Sequence, residues 1–264
     1  MAWRRAGFNS PWVHQKNTFI HTMTLPLAIL WIGIVSLFCI AGAWYARRYE
    51  KPDALIALYV ILVAFSNIAA SKTVAFNFGF VEFFAPASAL LFSATFLITD
   101  IVNERFGRKE TQYMIGIAFI SQIALVLFSY ITIKATSAPF FQNQEAFEII
   151  LGNVPRMVIA SLVAFLISEN ADAYLFDWIR TLTKGKYLWM RNVFSSIPSM
   201  FADSVIFVAL AFYGTIPIVP LIIGLTAIKW IAGIIDIPFM YLSRAVMYTS
   251  SHDYRGKESD TGNR

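Results

Sequence analysis

Apolar runs of about 18 or more residues recur along this chain, each long enough to cross roughly 30 Å of hydrocarbon at about 1.5 Å per residue. Lipid offers no partner to backbone N–H and C=O groups, so only helices and closed barrels span it. The runs lack the period-2 alternation of a membrane barrel. They predict an all-α, polytopic membrane helix bundle in which sheets are not expected. Composition agrees: 58% of the 264 residues are hydrophobic and 14% charged, against about 25% charged in soluble domains.

The expected spans are 23–46, 53–72, 85–103, 111–134, 154–176, 195–213 and 218–243. Breakers or charges separate them at Lys51-Pro52-Asp53, Gly107-Arg108-Lys109, Gly152-Asn153-Val154-Pro155, Asp177 to Phe194 (with Lys184-Gly185-Lys186) and Gly214 to Pro217. The first run ends in Trp44-Tyr45-Ala46-Arg47-Arg48, an aromatic-basic anchor that marks a retained helix and not a cleaved signal. The aromatic stretch Phe76 to Phe84 is too short to span and is expected at the interface or re-entering. Alternate loops hold 14 Lys and Arg on one side (around 47–51, 105–109, 180–191 and 244–264) and 6 on the other, with Lys229 inside a span. The basic side is read as cytoplasmic, which leaves the N-terminus outside and the C-terminus inside.

Several chemistries are excluded. The single cysteine, Cys39, permits no intrachain disulfide, and His14, His21 and His252 all flank the apolar runs, so no metal or cofactor site is expected. A net charge of +5 is accounted for by membrane orientation, without nucleic acid. No phosphate-cradling Gly-rich loop is present, so the chain does not energise itself with ATP, and no Gly-x-Ser-x-Gly or His-Glu-x-x-His motif points to an enzyme.

Function is sought where charge is costly, because an ionised side chain at the bilayer centre costs at least about 2.5–3.5 kcal/mol. Glu169, Asp172, Asp203, Lys229 and Asp236 stand inside apolar runs. Glu169 and Asp172 are three apart and share a face, beside Asn170. Lys229 and Asp236 are seven apart, about 10.5 Å along the axis and too far to bond. Each is therefore expected to pair with another helix, for example Lys229 with Asp203. Asp100, Asn103 and Glu104 end the third span beside basic residues, and Asn67, Ser71 and Lys72 form one stripe of the second. Ala85, Ala89 and Ser93 make a small-residue packing ridge. Phe96, Phe201, Phe207 and Trp230 are candidates to stack on a ligand.

In chain order, Ser66-Asn67-Ile68-Ala69-Ala70-Ser71-Lys72, the run Phe96 to Glu110 with Asp100-x-x-Asn103-Glu104-x-x-Gly107-x-Lys109, Ala160 to Ser168 with Asp172, Leu188 to Asn192, Asp203-Ser204-Val205-Ile206-Phe207 and Lys229 with Asp236-Ile237-Pro238 resemble the queuosine-precursor transporter family, also grouped with vitamin uptake transporters. The resemblance covers about residues 54 to 245 and implies a six-helix core at 51–245. An extra transmembrane helix at 1–50 precedes it and a cytoplasmic polar tail at 246–264 follows. Family members often carry Gln shortly before the aspartates of the fifth and sixth helices, where this chain has Glu169-Asn170 and Met200-Phe201.

The resemblance implies import of a deazaguanine base across the cytoplasmic membrane for tRNA modification. The partners are then a small planar nucleobase-like substrate and the lipid bilayer, with homo-oligomerisation left open. One carboxylate can accept the paired N–H and amino donors of a guanine-like edge. That role is expected of Asp203 or Asp172, with Asn67 orienting the base and an amide serving its carbonyl, and with Lys229 and Asp236 as a coupling or gating pair. The alternative is a substrate-binding membrane component that requires a separate ATP-driven module. Proton coupling and facilitated uptake are both compatible with the residues.

Overall fold

The computed structural model describes the backbone over residues 23–77, 81–182 and 188–247, and most but not all side chains within them. Seven helices occupy this range: α1 (Leu25–Tyr49), α2 (Asp53–Ala69), α3 (Ala89–Phe106), α4 (Arg108–Lys134), α5 (Gln144–Leu182), α6 (Leu188–Phe212) and α7 (Ile218–Met247). Three segments are long and apolar enough to cross a membrane by length and composition, Pro26–Tyr49, Arg108–Lys134 and Gln144–Ser168. Shorter apolar segments lie in α2, α3, α6 and α7. Large apolar side chains such as Leu37, Phe38, Ile120, Leu127, Phe128 and Ile234 are exposed. A water-facing surface of this kind would be a liability, whereas hydrocarbon accommodates it.

The breaks at Lys51-Pro52 and Gly214–Pro217 occur as expected. Gly107 alone separates α3 from α4, with φ of 86°, a left-handed conformation that glycine adopts without steric cost. The break expected at Gly152–Pro155 does not occur, because α5 runs through Pro155 for 39 residues. Proline in a helix interior costs about 3 kcal/mol. Burial of Val154, Met157, Val158 and Ala160 on the core side of the same two turns opposes that cost. The expected connection from Asp177 to Phe194 also contracts, since α5 reaches Leu182 and α6 starts at Leu188. The charged Lys184-Gly185-Lys186, the basic N-terminal stretch before residue 23 and the tail beyond 247 lie outside the described residues.

A second correction concerns sheet. Strands β1 (Met23–Thr24), β2 (Thr73–Asn77) and β3 (Glu82–Pro86) form a small sheet in the order β1-β2-β3. β1 pairs parallel with β2 (Met23 opposite Phe76) and β2 pairs antiparallel with β3 (Thr73 opposite Pro86, Asn77 opposite Glu82). The aromatic stretch expected at the interface is thus a hairpin. Each strand is only five residues long, too short for alternation to stand out, while Thr, Val and Phe favour extended backbone. α2 therefore ends at Ala69, so Ser71 and Lys72 fall beyond it and do not continue the stripe from Asn67. Ala85 lies in β3 and Ala89 opens α3, so the two are buried together without forming one helical ridge.

Non-helical backbone survives at membrane depth only when protein covers it. Here α7 covers β3. A Cβ built on Gly224 would stand 2.0 Å from the carbonyl oxygen of Phe84, so only glycine permits this approach. Phe76 and Ala85 join Ala70, Ala89, Met157, Ala164, Phe207, Leu225 and Ile228 in one apolar cluster. A second cluster packs Val35, Cys39, Ala43 and Ala46 of α1 against α2, α3 and the start of α4. The first helix is thus packed into the bundle.

Candidate functional site

Polar side chains gather where α2, α3, α5, α6 and α7 meet beneath the hairpin. Asp203 of α6 and Lys229 of α7, both set in apolar helix, face one another. Lys229 Nζ donates to Asp203 Oδ2. Their relative exposures are 6% and 4%, so the pair is shielded from water. Removing two charges from water costs several kcal/mol per ion, and their attraction offsets this only with close geometry and further hydrogen bonds. Ser168 of α5 supplies one such bond, its Oγ donating to Asp203 Oδ1 at 3.3 Å. The Lys229 ammonium also lies 5.7 Å from the centroid of the Phe92 ring, within cation–π range.

These groups border a cavity lined by Ser66, Asn67, Ser88, Phe92, Ser161, Asp203, Phe207 and Lys229, with Ala70, Ala89, Ala164 and Leu225 as its apolar walls. Its interior volume of about 30 Å³ exceeds the roughly 10–15 Å³ that one water needs, and it admits about two. A bicyclic solute enters only if the walls move. Lys229 is the longest and most flexible of them.

Asn67 sits on the opposite wall. Its Nδ2 donates to Gln122 Oε1 of α4 at 2.9 Å and to the Val63 carbonyl at 3.2 Å. Its Oδ1 accepts from Ser161 Oγ at 2.9 Å. Three helices are joined through this one amide.

The structure therefore brings together Asn67, Asp203 and Lys229 among the sequence-derived candidates. It does not bring Asp100 or Asn103 to the cavity. Both are exposed, and Asp100 lies eight residues beyond Phe92, about 12 Å along α3. Glu104 shares that helix end, but its side chain lies outside the described residues, as do those of Glu169, Asp172 and Asp236. Their backbones place Glu169 and Asp172 one and four residues past Ser168 on α5, and Asp236 two turns past Lys229 on α7. Lys229, expected also as a gating partner of Asp236, is engaged with Asp203. At the end of α3, Arg105 bonds Glu50 at 2.7 and 2.8 Å.

Of the aromatic candidates, Phe207 lines the cavity, while Phe201 and Trp230 are largely exposed. Phe92, which sequence reasoning passed over, lines it, and Phe96 stacks edge-on against Phe92. Gln122 was also missed. The signal was available, because it is the amide deep in the apolar run of α4, with Gln112 near the helix start, and an amide in hydrocarbon needs a partner.

A family model described as "Putative vitamin uptake transporter" matches residues 86–243. The chain is 26% identical over 221 residues to a "Probable queuosine precursor transporter" of Bacillus subtilis (strain 168), covering 82% of this chain and 94% of that protein. It is 24% identical over 186 residues to a "Probable queuosine precursor transporter" of Haemophilus influenzae, covering 70% of each. No solved structure matches the chain.

Proposed function

The chain belongs to the family described as "Putative vitamin uptake transporter", which makes it a membrane transporter and not an enzyme, and from that premise we propose that it imports a queuosine precursor, a deazaguanine base, across the cell membrane. The names of the two bacterial relatives support the substrate class. The observation that carries the reading to particular residues is the buried Asp203–Lys229 pair on the wall of a cavity within the helix bundle.

A guanine-like edge offers an N–H and an amino group side by side, and a carboxylate accepts both at once through charge-assisted bonds. Asp203 is the described carboxylate of the cavity, and in the empty site its oxygens take donors from Lys229 and Ser168. The base then enters by exchange, its two donors replacing those of the protein. Lys229, released from the carboxylate, opens the space it filled, and Phe92 and Phe207 offer aromatic faces to the ring. Exchange keeps Asp203 hydrogen-bonded throughout, and the displaced Lys229 ammonium must stay beside the carboxylate or the Phe92 ring 5.7 Å away, because a stranded buried charge is far costlier than a paired one.

On this reading the core is six helices with α1 added, the side with more Lys and Arg faces the cytoplasm, and the N-terminus lies outside. Asp172 and Asp236, one to two turns along α5 and α7 from the pair, continue the polar path toward that side. Asp100, Asn103, Glu104 and Glu169 stand further along α3 and α5 in the same direction.

The test is accumulation of a radiolabelled deazaguanine by cells that lack their own uptake and synthesis, with and without this chain. Restored accumulation and restored queuosine in tRNA are expected. Absence of both, with the protein in the membrane, would refute the substrate. Uptake by the purified chain alone in liposomes separates a self-sufficient carrier from a component that needs an ATP-driven module.

A further inference from the structure

The orientation of the Asn67 amide is fixed by its neighbours. Of its contacts, the Val63 carbonyl at 3.2 Å can only accept, so the atom facing it is the N–H bearing nitrogen. The other N–H of that nitrogen goes to Gln122 Oε1. Both donors of Asn67 are therefore committed, and what remains for the cavity is one lone pair of Oδ1, which also accepts from Ser161. In this arrangement Asn67 has no N–H left to give to a ring carbonyl.

The neighbouring residue has what Asn67 lacks. The Thr95 and Ser204 hydroxyls bond back to carbonyls of their own helices, while Ser161 and Ser168 each share one hydroxyl proton between such a carbonyl and Asn67 Oδ1 or Asp203 Oδ1. Ser66 is 2% exposed, lines the cavity, and its Oγ has no partner. The Ser71 and Thr226 hydroxyls are also unpartnered, but neither residue lines the cavity. A buried hydroxyl left unsatisfied is costly, and a ligand acceptor in the cavity would satisfy this one.

We infer that Ser66 donates to the ring carbonyl of the substrate, while Gln122 acts as a positioning residue that holds Asn67 as an acceptor for a substrate N–H. The inference rests on the cavity being the site of a deazaguanine base, and it assigns each face of that base to a named atom.

The test is competition binding on the purified full-length chain. Labelled 7-deazaguanine is displaced either by unlabelled 7-deazaguanine or by its 6-thio analogue, which keeps every donor but turns the carbonyl into a weak acceptor. The native chain is expected to prefer the oxo base by about tenfold. Ser66→Ala brings the two within about twofold by weakening the oxo base alone. Asn67→Asp, which has only acceptors and lets Gln122 turn its unpartnered Nε2 inward, keeps the preference. Gln122→Leu weakens both bases alike, and Gln122→Glu, which can still accept from Asn67, restores them.

Retention of the full preference in Ser66→Ala would transfer the donor role to Lys229 and overturn the assignment. Its loss in Asn67→Asp would show that Asn67 donates after all. If the native chain binds neither base, the substrate reading fails and the inference with it, an outcome distinct from either of these.

Discussion

Replacing Lys229 with methionine keeps the unbranched shape and most of the length of the side chain and removes its charge. Asp203 would then stand 6% exposed with Ser168 at 3.3 Å as its remaining donor in the site. Removing one partner of a buried pair typically costs about 3–5 kcal/mol, because the other charge is left without compensation. Asp203→Asn should cost a similar amount by stranding the ammonium, and the Phe92 ring 5.7 Å away returns only about 1–2 kcal/mol of it. The double variant removes both charges and should lie within about 1 kcal/mol of the native chain, a coupling of several kcal/mol across the cycle. At roughly 2–4 °C per kcal/mol for a chain of this size, each single variant should melt on the order of 10 °C lower in detergent and the double should recover most of that. All three should lose uptake, since the double has stability without the carboxylate. Additive losses, with the double as unstable as the two singles summed, would refute the pairing.

Three further outcomes follow from other contacts. Gly224→Ala drives a methyl into the Phe84 carbonyl and should destabilise the protein by about 1–3 kcal/mol, read as a lower melting temperature together with faster proteolysis of the hairpin. Arg156 donates to the carbonyls of Leu210 and Tyr213 at the end of α6, so Arg156→Met should cost about 1 kcal/mol and Arg156→Lys should recover only part, which thermal melting resolves. In the Glu50–Arg105 pair the carboxylate is 66% exposed although the guanidinium is only 10% exposed, so Glu50→Gln, which keeps an acceptor oxygen, should shift stability by about 1 kcal/mol.

The pairing of Lys229 with Asp203 was legible in the sequence because the cost of charge in hydrocarbon singles out the few residues that must find partners, and two helices offered opposite signs. Asn67 was legible as a polar residue within an apolar run, although the stripe expected with Ser71 and Lys72 does not form. At the end of α3, polarity in the sequence did not distinguish Asp100 and Asn103, which stand exposed away from the cavity, from the buried residues that line it. The hairpin was not legible. Its strands are five residues long, and what makes it possible, the missing side chain of Gly224, lies 138 residues after Pro86 in a different helix. Pro155 misled in the opposite direction, since a local breaker was outweighed by packing that only the assembled bundle supplies. Gln122 was legible in principle, but its importance comes from Asn67, 55 residues away.

The most direct test of the account is uptake of radiolabelled deazaguanine by cells carrying the native chain or Asp203→Asn at matched membrane levels. Robust accumulation is expected with the native chain and background accumulation with the variant. Undiminished uptake by Asp203→Asn would contradict this, and the cavity between α2, α3, α5, α6 and α7 would no longer be the place where the substrate is held.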